Sequence, residues 1–225
     1  MQTVKNVIIG AAGIGSRLGM NMPKCLIYVA GRRIIEYQLE LLKNIENIRI
    51  VVGYKEEEVI DVVSKLRSDV VFVRNPQYAF TSTMQSIYLA IKGLKEPFVM
   101  IDGDTIIDEE SFNSFLGKCN NTPIIGITKS TTEDAVFVST EKNENGDLIV
   151  TEFQRQERKE YEWTGICYIN QEHLIDKNMF VFKSLERFLP IRAEIIDCLE
   201  IDTQQDLSNA NRRINSSLMF NFNKA

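Results

Sequence analysis

The sequence predicts an α/β fold with a mostly parallel central sheet followed by a smaller β-rich half. Three observations carry that expectation. Short apolar runs alternate with helix-period segments as far as Gly117, the pattern of successive strand–helix units. Beyond Gly117 candidate strands follow one another instead. A small-residue stretch, Gly10-Ala11-Ala12-Gly13-Ile14-Gly15-Ser16-Arg17-Leu18-Gly19, comes directly after the first apolar run, where a strand hands over to a loop.

That first run, Val7-Ile8-Ile9, reads as a buried strand. Small residues after it let backbone N–H groups approach a ligand, and donors in a tight turn form a concavity suited to phosphate oxygens. A Walker loop would place Lys and Ser or Thr directly after its second glycine, whereas here Ser16-Arg17 follow Gly15 and the lysine waits until Lys24. A dinucleotide turn would want an acidic residue at the end of the second strand. That strand, Ile48-Arg49-Ile50-Val51-Val52, runs into Gly53-Tyr54-Lys55 instead.

Between these strands, residues 31–44 read as a turn and an amphipathic helix, with Ile34, Ile35, Leu39, Leu41 and Leu42 on its apolar stripe. Lys55-Glu56-Glu57-Glu58 opens a second helix, its acidic first turn opposing the helix dipole. A third strand at 70–74 leads to a polar loop at 75–86, whose hydroxyls suit a cap for the helix containing Ile87-Tyr88-Leu89-Ala90. The strand Phe98-Val99-Met100-Ile101 then delivers Asp102-Gly103-Asp104. Ligands of open α/β sheets sit beyond the carboxyl ends of the strands, so this carboxylate pair and the Gly13 turn are expected to face each other. A hard cation such as magnesium takes carboxylate oxygens together with substrate phosphates.

In the second half, strands are expected at 123–128, 135–140, 148–153 and 164–169, with Asn145-Gly146-Asp147 as a hairpin turn. Residues 155–160 are highly charged and read as a mobile solvated loop, with closure over substrate as the alternative. Trp163, the single tryptophan, suits either a core position or a cation–π contact. His173 is the single histidine and has no partner motif, which argues against histidine-based catalysis. Residues 195–202 end the sheet, and Thr203-Gln204-Gln205-Asp206 starts a capped helix running through 207–215. The apolar 218–222 segment packs either on the domain or on a second subunit, which leaves a homodimer open.

With 225 residues, 44% hydrophobic and 25% charged, the chain suits one domain with a sizeable core. A net charge of −5 argues against nucleic acid as a partner. No apolar run reaches membrane-span length and the first residues lack the regions of a signal peptide, so no membrane partner and a cytoplasmic location are expected. Cys25, Cys119, Cys167 and Cys198 lie too far apart for a zinc or disulfide framework and read as reduced thiols.

The stretch from Ala11 to Gly19, closed by Pro23-Lys24, resembles the signature of the nucleotidyltransferases that make nucleotide-activated sugars and alcohols. Glu36-Tyr37-Gln38-Leu39-Glu40-Leu41-Leu42, Val51-Val52-Gly53-Tyr54-Lys55, Ile101-Asp102-Gly103-Asp104 and Glu200-Ile201-Asp202-Thr203 resemble later blocks of that family, in the family's order. Asn75-Pro76 and the polar triplet before Ser86-Ile87-Tyr88-Leu89-Ala90 are similar to the phosphocholine cytidylyltransferase branch, with Ser82-Thr83-Met84 standing where relatives often carry asparagines.

The resemblance implies a Rossmann-like three-layer α/β/α sandwich forming one nucleotidyltransferase domain over residues 1–225, its β-rich half binding the acceptor. It also implies transfer of CMP from CTP to a small phosphorylated or phosphonylated acceptor, for surface polysaccharide or lipid decoration. Ala11, Ala12, Gly13, Gly15, Ser16, Arg17, Lys24, Ser82, Thr83 and Asp102 would meet the nucleotide. Among them Arg17 would hold the β- and γ-phosphates and Lys24 would neutralise the α-phosphate. Asp104 and Asp202 would hold Mg2+, and Glu162 and Trp163 would line the acceptor site. A sugar-1-phosphate nucleotidyltransferase using UTP, dTTP or CTP, and a nucleotide-binding protein without chemistry, stay as alternatives.

Overall fold

The computed structural model describes residues 4–120, 122–131, 134–174 and 176–216; the 218–222 segment lies outside them. The first apolar run forms β1 (Asn6–Ala11), and its alternate side chains enter different cores. Val7 and Ile9 join one apolar cluster and Ile8 joins another, which is why the run is continuously apolar rather than alternating. A short hairpin, β2 (Tyr28–Val29) and β3 (Arg32–Arg33), precedes α1 (Ile34–Leu41). Strand–helix alternation continues through β4 (Asn47–Val52), α2 (Glu56–Leu66), β5 (Val71–Arg74), α3 (Thr83–Ala90) and β6 (Phe98–Asp102). Then come β7 (Thr105–Ile107), α4 (Glu109–Lys118), β8 (Ile124–Lys129), β9 (Phe137–Lys142), β10 (Leu148–Gln154) and β11 (Tyr161–Ile169). The described chain closes with α5 (Val181–Leu185), β12 (Ile191–Ile195), β13 (Cys198–Glu200) and α6 (Gln204–Ser216).

Nine strands form one sheet in the order β5-β4-β1-β6-β11-β8-β12-β10-β9. On one face, side chains of α1, α2 and α4, among them Leu39, Val63 and Phe112, cluster with Val7 and Ile9. On the other, Met84 and Ile87 of α3 and Phe182 of α5 cluster with Ile8, which makes the three layers. The first four strands in that order are parallel, joined by helical crossovers. The remainder is mixed. There β8 and β12 run parallel, while β11 pairs antiparallel with β6, β8 and β9, and β10 pairs antiparallel with β12 and, across a short turn, with β9.

Two features were not foreseen from the sequence: β12 inside the main sheet, and a separate two-stranded ribbon of β7 and β13. The ribbon brings Glu200 and the flanking Asp104 and Asp202 together at the candidate site. None of the described helices is long and apolar enough to cross a membrane.

His173 ends a 3₁₀ turn (Gln171–His173), is 6% exposed, and lies against the Phe188 ring with centroids 4.6 Å apart. Burial pulls its imidazole below the usual histidine range. The unfolded chain therefore takes up a proton near pH ~6.5 that the folded chain resists, so stability is full above that pH and falls as the pH drops through it. His173→Gln is expected to flatten the acid slope of urea midpoints between pH 7 and pH 5 relative to wild type. Superimposable slopes would remove His173 from the account of acid stability.

Candidate active site

Four side chains from three separate stretches meet at the carboxyl edge of the parallel strands. Lys24 opens a 3₁₀ turn (Lys24–Leu26) whose Cys25 and Leu26 are buried, which fixes the root of the side chain. Its stem crosses the glycine turn. At Gly15 the backbone φ is +65° and an added Cβ would come within 2.7 Å of Lys24 Cγ, so glycine is required twice over. Arg17 sits in a second 3₁₀ turn (Ser16–Leu18), closed by the Gly19 N–H donating to the Ser16 carbonyl.

The acidic partners are brought together by the ribbon. Glu200 of β13 lies opposite Thr105 of β7, and the Ile201 N–H donates to the Asp104 carbonyl at 3.0 Å. Asp104 and Asp202, far apart in sequence, thereby become neighbours. Lys24 Nζ donates to Asp104 Oδ2 at 2.6 Å and also to Asp202 Oδ1. Arg17 Nη2 donates to Asp202 Oδ2 at 2.6 Å. Beneath them Leu18, Ile106 and Ile201 belong to one small apolar cluster with Ile34 and Ala210, so Arg17 and Asp202 each stand next to an anchored residue and Asp104 stands two away. Gln38, 1% exposed, donates through Nε2 to the carbonyls of Asp102 and Thr105, both at 2.8 Å. It straps the two ends of the turn that presents Asp104.

Carboxylate oxygens of Asp104, Glu200 and Asp202 lie within 4.8 Å of one another. An all-oxygen, partly exposed set of this kind fits a hard divalent cation better than a soft one. Burial alone would lower the Lys24 ammonium. The charge of Asp104 and hydrogen bonds to Asp104 and Asp202 outweigh it and hold Lys24 above the usual lysine range. Asp102, at the floor of the cleft, is pushed up to about 7, first by desolvation and then by Asp104. Glu200 is also shifted upward, by desolvation in the crowded cleft and by Asp104, Asp202 and Asp102, although its residue surface remains exposed.

A cavity of about 470 Å3 is lined by Ala11, Gly13, Gly15, Ser16, Arg17, Lys24, Thr83 and Asp102, with Asp104 and Asp202 on its wall. Two residues assigned to the nucleotide from the sequence, Ala12 and Ser82, are not among its lining. Ala12 is buried in the core and its carbonyl accepts the Tyr54 N–H, while Ser82 precedes α3 without a side-chain cap and donates through Oγ to the Met179 carbonyl at 3.5 Å. The 75–86 loop is ordered by Asn75, 1% exposed, whose amide donates to Thr81 Oγ1 and Ser86 Oγ and whose Oδ1 accepts from the Gln77 N–H.

An adjoining cavity of about 220 Å3 is lined by Glu162 and Trp163 together with Gly165, Phe180, Phe182 and Arg155. Trp163 donates its indole N–H to the Ile166 carbonyl and packs edge-on against Phe153. Among the residues lining this cavity, the cation on aromatic faces is instead Arg155, over Phe180 and Phe182, with Lys183 outside the lining also over Phe182. Reasoning from sequence missed Glu200, Gly165 and Arg155. Glu200 was findable, since residues two apart on an extended segment point the same way and Asp202 was already singled out. Arg155 was hidden in a charged segment read as solvated.

A cleft of about 470 Å3 at the carboxyl edge of parallel strands, lined by both cations and grouped carboxylates, is of the kind found in α/β proteins that handle nucleotide phosphates. Within that class the chain belongs to the MobA-like NTP transferase family, whose domain matches residues 7–162. It is 38% identical over 114 residues to a choline-phosphate cytidylyltransferase of Streptococcus pneumoniae, covering 48% of each chain. It is 28% identical over 196 residues to a bifunctional protein GlmU of Methanococcus vannielii, covering 82% of this chain and 44% of that one. The chain thus matches less than half the length of either relative. Its fold is similar to a solved CTP:phosphocholine cytidylyltransferase from Streptococcus pneumoniae, with TM-score 0.75, 23% identity and coverage of 94% and 99%. It is similar also to the inositol-1-phosphate CTP transferase from T. maritima, with TM-score 0.74, 15% identity and coverage of 96% and 98%.

Gly165, at φ +78°, has Asp102 Oδ2 only 2.3 Å from where a Cβ would stand. Gly165→Ala is expected to cost about 2 kcal/mol or more, from the left-handed backbone and the clash together. In a double-mutant cycle with Asp102→Ala, urea denaturation should show about 1 kcal/mol or more recovered, because only the clash is relieved. Strict additivity would mean that the two residues do not press on each other.

Proposed function

We propose that the chain transfers CMP from CTP to a phosphate or phosphonate oxygen of a small acceptor, releasing pyrophosphate. The observation that carries this reading is the convergence of Lys24 and Arg17 with Asp104 and Asp202 beside the glycine turn. The acceptor oxygen attacks the α-phosphorus in line. A P–O bond forms there while the bond to the β-phosphate oxygen breaks, and pyrophosphate leaves with the electron pair. This chemistry asks for positioning and charge neutralisation more than for a proton shuttle, which suits a chain whose single histidine is buried outside the cleft.

Backbone N–H groups of the glycine turn would cradle phosphate oxygens. Arg17, whose side chain is 57% exposed, would reach the β- and γ-phosphates, and Lys24 the α-phosphate. Asp104 and Asp202, joined by Glu200, are the residues to hold Mg2+, which when bound would supply charge neutralisation beside the α-phosphate. Those carboxylates outnumber the two cations, so an anionic triphosphate gains from a further positive charge in the cleft. Thr83, on the loop ordered by Asn75, would face the nucleotide with Ser82 close behind. Glu162 and Trp163 would meet the acceptor, of phosphocholine, aminoethylphosphonate or phospho-amino-acid type.

Similarity to the choline-phosphate cytidylyltransferase supports cytosine as the base and a CDP-activated product. A second reading, a sugar-1-phosphate nucleotidyltransferase, is favoured by similarity to the GlmU protein over 82% of this chain. Incubation with each NTP, Mg2+ and a panel of these acceptors and sugar phosphates, followed by pyrophosphate release, separates the two. Lys24→Ala and Asp104→Ala are each expected to lower turnover by about 10²–10³ while far-UV circular dichroism stays that of the wild type. Near-normal turnover in either folded variant would sink the assignment.

A further inference from the structure

We infer that Arg155 binds the phosphate or phosphonate group of the acceptor, a role that rests on the transfer reaction proposed above. The nucleotide cavity and the adjoining cavity share a passage lined by Arg17, Asp102, Arg155, Phe180, Glu200 and Asp202. In-line attack requires the acceptor anion and the α-phosphate to meet in such a passage. Its cations are Arg17 and Arg155, whereas Lys24 lines the nucleotide side alone.

The guanidinium of Arg155 lies 5.5 Å from the Phe180 ring centroid and 5.4 Å from that of Phe182, and the two rings are stacked within 18° of parallel. A guanidinium seated on aromatic faces keeps its fork of donors pre-oriented, which suits recognition of a planar or tetrahedral oxyanion. Its carboxylate neighbour, Asp134 Oδ1, is 3.6 Å away, and the other oxygen of Asp134 is 3.8 Å from Arg17 Nη1. Both distances exceed hydrogen-bond length, and the Asp134 side chain is 77% exposed. Asp134 thus stands between two arginines as a weakly held anion, which a phosphate making short charge-assisted bonds would outcompete.

The other cations of the same loop are already committed. Arg158 donates to the Ser130 carbonyl and Lys159 to Glu157, each at 2.6 Å. Because Arg155 already covers the Phe180 and Phe182 faces, an ammonium group on the acceptor has to be met elsewhere, at the wall formed by Glu162 and Trp163.

Trp163 lines this cavity as the chain's single tryptophan, so it reports binding without turnover. Inorganic phosphate is titrated into wild type, Arg155→Gln and Arg155→Lys, followed by Trp163 emission and by 31P line broadening. Phosphate affinity should fall about tenfold or more in Arg155→Gln, recover in part in Arg155→Lys, and rise in Asp134→Asn. Equal phosphate binding by wild type and Arg155→Gln in both readouts, including none by either, overturns the inference. With an acceptor that is turned over, Arg155→Gln should raise the acceptor KM about tenfold or more and leave the CTP KM within about twofold. A rise confined to the CTP KM also overturns it. If the wild type releases no pyrophosphate with any acceptor, the transfer reading falls, and Arg155 is still decided by the phosphate titration.

Discussion

An ammonium group between two carboxylates is the interaction on which this structure depends. Asp104, Glu200 and Asp202 are crowded closely enough to repel one another strongly, and Lys24 Nζ, with 17% of its side chain exposed, is the charge that makes the arrangement tolerable. Partly buried charges are stable only when paired and hydrogen-bonded, and removing one partner costs far more than the pair contributes. The lysine needs a path to the carboxylates, which the bare backbone of Gly15 provides. The carboxylates need to come from one edge, which the pairing of β7 with β13 provides. Neither condition follows from a single local segment.

The same requirement explains features that look irregular in isolation. Gln38 is a polar side chain buried in the middle of a helix, and its two donated bonds hold the strand end and the turn that bracket Asp104. The small apolar cluster of Leu18, Ile106 and Ile201 is separate from the two cores flanking the sheet, and it locks together the three stretches that carry Arg17, Asp104 and Asp202. Asp102 occupies the space a side chain at Gly165 would need and has its proton affinity raised, because desolvation and the neighbouring carboxylate act in the same direction. Packing fixes the backbone, and electrostatics then dictates which residues the backbone can carry there.

Much of the parallel half was legible in the sequence because its signals are local. Val7-Ile8-Ile9 and Phe98 to Ile101 are continuous apolar runs, as strands covered on both faces have to be, and Ile48 to Val52 is interrupted only by Arg49, which donates to the carbonyls of Ala90 and Lys92. Lys24, Arg17 and Asp104 stood out by their types and neighbours, Asp202 was named only through the resemblance of its block to the nucleotidyltransferases, and the structure brings all four into one cleft. The ribbon was not legible, since β7 and β13 are three residues each and exist only because they pair with each other. Ile191–Ile195 is likewise short and follows a segment without strand periodicity. Arg155 escaped for a different reason. In a run of charges only the fold reveals which one lines a cavity, and here Phe180 and Phe182, from a later stretch of chain, select it.

How the two halves are joined bears on how such a scaffold can change its acceptor. Within the nine-stranded sheet, β11 is the strand that links them. Its end, Cys167 to Ile169, pairs with β6, with Cys167 and Tyr168 pairing also with β8, and its beginning, Tyr161 to Trp163, pairs with β8 and, at Tyr161 and Glu162, with β9. Between those two stretches the register shifts, at the position where Gly165 takes a left-handed turn under Asp102. A bulge of this kind redirects side chains without breaking the sheet, and here it separates the part of the strand paired with β6 from the part paired with β9, while β8 pairs with both. Residues before the bulge, Glu162 and Trp163 among them, therefore line the adjoining cavity from outside the pairing with β6 that supports Asp102. The constraint runs the other way for Gly165 itself. A side chain there would displace Asp102 and disturb both halves at once, so this position is fixed by the junction rather than by either ligand.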